Sequence, residues 1–129
     1  MMFQFLLVGL GGFTGAVLRF GISGLMENIS RNYTFPWPTL AVNLSGCLLI
    51  GALSYLAEAH GLFNNEARLF VFIGFLGAFT TYSTFSNETI ELIRGGRNLL
   101  SFLYVVLHLL LGLGSVWLGR AAAEAISRM

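Results

Sequence analysis

Between Thr80 and Ser86 the chain reads TTYSTFS, six hydroxyl-bearing side chains in seven positions, directly after the uniformly apolar LFVFIGFLGAF. One or two hydroxyls in an apolar helix ordinarily bond a nearby carbonyl or hold two helices together. Here Ser83, Thr84 and Ser86 are interleaved with the rings of Tyr82 and Phe85, a combination suited to a narrow path with O–H rungs and aromatic walls. Without the polar residues, two rings three positions apart would read as core packing. Thr39 and Asn43 are four apart and share a helical face that continues through Gly46 and Cys47. Asn43 carries both a donor and an acceptor group, and its commonest use is a bond between helices. Tyr104 and His108 are one turn apart in an apolar stretch. A histidine there serves proton movement or ligand binding, or is a neutral partner of Tyr104 or of another helix, and the neutral partner is the stronger reading. Arg19 pairs with another group, gives a mouth positive potential, or snorkels to an interface, and snorkelling is the stronger reading. Donors abound and no carboxylate lies at the centre of the hydroxyl run, so the pattern favours a small anion. Glu91 and Arg94 have the spacing of an ordinary i,i+3 ion pair, whereas Glu88 has no such explanation.

The elements that position these groups follow from composition. Of 129 residues, 56% are hydrophobic and 10% charged, more apolar surface than a soluble core of this size could bury. A hydrocarbon layer of ~30 Å takes about 20 helical residues per crossing. Four stretches suffice: Phe3 to Leu25, Trp37 to Ala59, Leu69 to Ile93 and Leu99 to Gly119. The sequence therefore predicts an all-α membrane protein, one domain of four transmembrane helices over residues 1–129, with no soluble catalytic domain and hence no enzyme. Thr81 is the midpoint of the third stretch and His108 lies near the centre of the fourth. Gly74, Gly77 and the β-branched residues after them weaken the third helix and predict a break near Gly77 to Thr81. Breaks at that depth occur only where the backbone is buried or lines a cavity, and they offer carbonyls to cations and amides to anions. Gly11 and Gly15, like Ser115 and Gly119, have the spacing of close helix contacts.

All of the positive side-chain charge is arginine, and the net charge of +1 gives no footprint for nucleic acid. Cys47 is the single cysteine, which excludes an intramolecular disulfide and a zinc site built on cysteine pairs. The first stretch lacks a basic n-region and reads as a retained helix. Its glycines make no dinucleotide fingerprint, because Thr14 stands where the third glycine belongs. The connections ENISRNYTFPWP, HGLFNNEAR and RGGRN are short, so neighbouring helices run antiparallel, with Tyr33, Trp37 and Trp117 near interfaces. One face then carries Arg68, Arg120 and Arg128 and the other Arg31, Arg94 and Arg97, with Arg19 able to join the second. Basic residues in short loops normally set orientation. A balance this even fits insertion in both orientations and pairing into an antiparallel homodimer; equally, the terminal amine or a partner protein could set one orientation.

GFLGAFTTYSTFSNET, with GGFTGAVLRF and WPTLAVNLSGCLLIG, resembles the Fluc family, also called CrcB, of bacterial fluoride channels. The resemblance spans the first three helices and the overall length. It implies a dual-topology antiparallel homodimer with two pores in the inner (plasma) membrane, embedded in lipid and passing fluoride passively down its gradient. By the same resemblance Asn43 is the pore asparagine, Phe85 the second phenylalanine of an aromatic box, and Ser83, Thr84 and Ser86 a hydroxyl track. Gly77 and Thr80 match the break whose carbonyls, from both subunits, hold a structural sodium ion at the dimer centre. Tyr82 departs from the family, which usually has phenylalanine there. Thr39, Glu88, Tyr104, His108 and Arg19 remain candidates for a vestibule or for an extension of the track. Two rivals stand beside this reading. A small proton-coupled exporter of organic cations needs a carboxylate in the first helix, and none lies between Met1 and Met26. A non-selective membrane pore leaves the hydroxyl run without a use.

Overall fold

The computed structural model describes residues 1–29 and 34–129, and Arg31 and Tyr33 of the sequence reading lie outside them. Helices α1 (Met2–Ile29) and α2 (Trp37–His60) form the first two spans. Pro38 sits in the first turn of α2, where its missing N–H costs nothing, and Gly61 closes the helix at φ 62°, a left-handed conformation that suits glycine. The third span begins where Asn64 accepts a hydrogen bond from the Ala67 N–H at 2.8 Å. Its first arm, α3 (residues 65–79), makes one α-helical turn, widens to a π-helix over Leu69–Leu76 and tightens again at Gly77–Phe79. Thr80 and Thr81 are extended, with ψ of 158° and 114°. The second arm, α4 (Tyr82–Arg94), follows, and after a turn through Gly96 at φ 73° the chain ends in α5 (Asn98–Ser127). Among the described residues four segments are long and apolar enough to cross a membrane, and the chain is a multi-pass membrane protein. The fourth runs on past Gly119, where the sequence reading stops it, because RAAAEAIS is strong helix-forming sequence.

Packing distributes the spans in a definite order. Helix α1 lies along α3, α2 lies along α5, and α4 leaves α1 to reach α5. The contacts between α1 and α3 are backbone to backbone: a Cβ on Gly11 or Gly15 would overlap the carbonyls of Phe70 or Phe75. Gly51 and Gly119 perform the same service between α2 and α5, against the carbonyls of Val116 and Leu48. At one end of the bundle Glu58 bridges to Arg120 at 2.6 Å, and Glu124 pairs with Arg128 within α5. The Glu91–Arg94 pair expected from spacing is absent among the described residues. Glu91 instead accepts from the Asn87 amide at 2.9 Å, a partner one turn back on the same helix. At the other end Arg97 donates to the Thr34 carbonyl at 3.4 Å. Leu40, Leu92 and Tyr104 are the buried centre between α2, α4 and α5. Phe13, Phe20, Leu113 and Trp117 stand outward, as side chains facing lipid do.

Candidate functional site at the interrupted span

An extended pair of residues inside an apolar bundle exposes backbone groups that must find partners. Asn43 supplies them. Its Oδ1 accepts from the Thr81 N–H at 2.9 Å and its Nδ2 donates to the Thr81 carbonyl at 3.1 Å, so one side-chain amide pairs with both backbone groups of one residue. The Thr81 hydroxyl caps the next helix, accepting from the Thr84 N–H at 3.2 Å and donating to the Thr84 hydroxyl at 3.0 Å. Both diversions have a consequence upstream. In a continuous helix the Thr81 N–H would serve the Gly77 carbonyl and the Thr84 N–H the Thr80 carbonyl. With those donors on Asn43 and on the Thr81 hydroxyl, the carbonyls of Gly77 and Thr80 lack their i+4 partners. Two carbonyl oxygens freed in this way have the chemistry that a hard cation such as sodium requires.

The second Nδ2 hydrogen of Asn43 points to His108 Nε2, 3.3 Å away. Thr81 fixes which end of the amide is nitrogen, so His108 Nε2 must present its lone pair. Its Nδ1, 3.0 Å from the Tyr104 carbonyl, then carries the proton. His108 is thus a neutral imidazole of one tautomer, bonded both to Tyr104 and to another helix. Its ring lies 4.3 Å from that of Phe85 and meets the Tyr104 ring edge-on at 4.4 Å, centre to centre. One turn further, Tyr104 is fully buried and donates its phenol to Glu88 at 2.6 Å. Thr39 donates to the other Glu88 oxygen at 2.9 Å. Thr39, Glu88 and Tyr104, three separate suspects in the sequence, form one cluster contributed by α2, α4 and α5.

The hydroxyl run divides by role. Thr80 donates to the Leu76 carbonyl at 3.0 Å and Ser86 to the Tyr82 carbonyl at 2.9 Å, the usual back-bonding of helix hydroxyls. Ser83 and Thr84 lie exposed on the first turn of α4. The Tyr82 ring packs against Phe85 at 5.7 Å, and its side chain is otherwise largely open, at 80% exposure. Clefts open on two sides of the interruption. A cleft of about 420 Å³ is bounded by Asn43, Cys47, Gly77, Tyr82, Phe85 and His108. One of about 280 Å³ brings Arg19 together with Ser23, Thr39, Thr81 and Thr84. Arg19, placed alone by the sequence, therefore shares a concavity with four hydroxyls. Thr81 is the residue whose importance sequence reasoning understated: a polar Asn43 at the depth of a weakened helix was the available signal for the clasp.

The fold and site define a multi-pass membrane protein with a broken span, an arrangement that can present backbone and side-chain polar groups to a small ion within the bilayer. Residues 6–120 match the family described as CrcB-like protein, Camphor Resistance (CrcB), and the chain is a member of that family. The fluoride-specific ion channel FluC of Methylobacillus flagellatus is 42% identical over 118 residues, 92% of each chain. FluC 1 of Methanosarcina acetivorans is 43% identical over 95% of this chain and 92% of its own length. The FluC of Thermus thermophilus is 44% identical over 95% of this chain and 97% of its own.

Proposed function

We propose that the protein is a fluoride-selective channel of the bacterial inner membrane, passing the ion down its gradient and so protecting the cell from fluoride. The observation that carries this reading is the Asn43 clasp on Thr81, which holds a polar, extended backbone open beside aromatic rings and hydroxyls. The names and extents of the relatives support it. Fluoride is small and strongly hydrated, so a pore must replace its lost water with close donors and stay too narrow for larger anions. Ser83 and Thr84 are the exposed hydroxyls of the track. Ser86 joins it by releasing the Tyr82 carbonyl. Tyr82 and Phe85 form the aromatic wall, presenting positive ring edges. Arg19, above the hydroxyls of the smaller cleft, gives the mouth a charge that draws anions.

The larger cleft is apolar and open, and in this reading an inverted second copy closes it, giving an antiparallel homodimer with two paths. The carbonyls of Gly77 and Thr80, two from each chain, would hold a sodium ion between the subunits, supplying fixed positive charge that ties the two interruptions together. Purified protein in liposomes should release internal fluoride while retaining chloride under the same electrical driving force. Equal release of both ions would remove the assignment and leave an unselective pore.

A further inference from the structure

Every hydrogen-bonding group of the Asn43 amide is engaged. Oδ1 accepts from Thr81, one Nδ2 hydrogen serves the Thr81 carbonyl, and the other goes to His108 Nε2 at 3.3 Å, the longest of the three. An anion arriving at Asn43 meets no free N–H. Releasing either bond to Thr81 would leave a backbone group bare inside the membrane. Releasing the bond to His108 bares only one imidazole lone pair, at the wall shared with Asn43, Tyr82 and Phe85, and no backbone group.

We propose that His108 Nε2 is a built-in competitor for the conducted anion, holding the one Asn43 hydrogen that fluoride can take. The proposal rests on Asn43 being part of the fluoride path. His108 acts through Asn43 and is a positioning residue. It sets how much fluoride is needed to fill the path. The lone pair it turns toward Asn43 is itself unfavourable to an approaching anion, so displacement and repulsion act in the same direction. A proton on Nε2 abolishes the lone pair and frees the Asn43 hydrogen. Acid therefore does in the wild type what removal of the imidazole does in a variant. Around the ring, α2 contributes Asn43 and the cleft-lining Cys47, α4 contributes Phe85 and Tyr82, and α5 contributes Tyr104. The carboxylate of the neighbouring cluster, Glu88, is tied to Tyr104 and Thr39.

The test is the fluoride concentration giving half-maximal efflux from liposomes, with leakage from empty liposomes subtracted. His108→Leu keeps bulk and removes the acceptor; His108→Gln keeps an acceptor of similar reach that does not titrate. His108→Leu should lower the half-saturating fluoride roughly 2- to 10-fold, the worth of one hydrogen bond, while His108→Gln stays near wild type at neutral pH. In the wild type the value should fall as acid protonates the imidazole, followed in steps from about pH 8 to about pH 4.5, and in both variants it should stay flat over the same series. A merely structural histidine would change protein yield and not this pH profile. Wild-type protein that conducts fluoride with a pH-independent half-saturation overturns the inference, as does His108→Leu with an unchanged value. Should His108→Leu not fold, the wild-type and His108→Gln profiles decide the matter. Wild-type protein that passes no fluoride at all overturns the channel reading instead.

Discussion

Tyr82 sits at the start of α4 with its ring against Phe85 and no hydrogen-bond partner for its phenol among the described residues. The ring edge is common to tyrosine and phenylalanine, and Ser83 and Thr84 already supply donors beside it. Phe85 is placed differently. Its ring touches Tyr82, Tyr104 and His108 at 5.7, 5.4 and 4.3 Å, so it joins the aromatic wall to the buried polar cluster. Tyr82→Phe is therefore expected to keep fluoride flux within about tenfold, ~1.4 kcal/mol in the barrier. Phe85→Ile should fall much further, since it removes the ring that holds three others in place. Both are measured in liposomes at equal reconstituted protein. Flux abolished by Tyr82→Phe and preserved in Phe85→Ile would mean that the phenol hydroxyl carries the ion path.

The elements were legible in the sequence to very different degrees. Apolar length locates four spans, and a dense run of hydroxyls after Gly77 marks where the third departs from ordinary membrane helix. What each hydroxyl does was not legible. Back-bonding of Thr80 and Ser86 depends on the turn that precedes them, while the capping role of Thr81 depends on an extended backbone that only Asn43, 38 residues away, makes tenable. Likewise the sequence named Thr39, Glu88 and Tyr104 without joining them, because their separations of 49 and 16 residues have no period to reveal contact. The π-helical winding of LFVFIGFL carries no marker in residue type at all. Glycine spacing was more informative, and it predicts a contrast. Gly15 meets the Phe75 backbone, whereas Gly21 on the same helix has no neighbour within 4 Å. Gly15→Ala should destabilise the protein by about 1–3 kcal/mol through overpacking of α1 on α3. Gly21→Ala should gain up to about 1 kcal/mol of helix propensity. Thermal unfolding in detergent, followed by circular dichroism, compares the two directly, and equal midpoints would show that α1 and α3 can separate at no cost.

For the whole molecule, the question is which way the bundle enters the membrane. The structure gathers Arg68, Arg120 and Arg128 with the chain ends and the connection after α2, and Arg94 and Arg97 at the opposite end. Arg31, by its place in the sequence, counts with the latter, giving three on each side before Arg19 is assigned. Orientation follows the count of basic residues in short loops near helix ends, with acidic residues contributing little. The Glu58 and Glu124 partners of Arg120 and Arg128 therefore do not tip the balance. A chain without a basic excess on either side should insert both ways, which is what an antiparallel dimer of identical chains requires. A single cysteine placed at Asn64, in the exposed connection before α3, reports the orientation when Cys47 is replaced by serine to leave one reactive thiol. An impermeant thiol reagent applied to intact cells should label part of the population, and the remainder should react only after the membrane is opened. Adding two arginines beside Asn64 should bring that connection almost wholly to the inside and reduce fluoride efflux along with the inverted fraction. Complete one-sided labelling of the chain with its natural charges would show that something other than the arginine balance sets its orientation, and an antiparallel pair could not form.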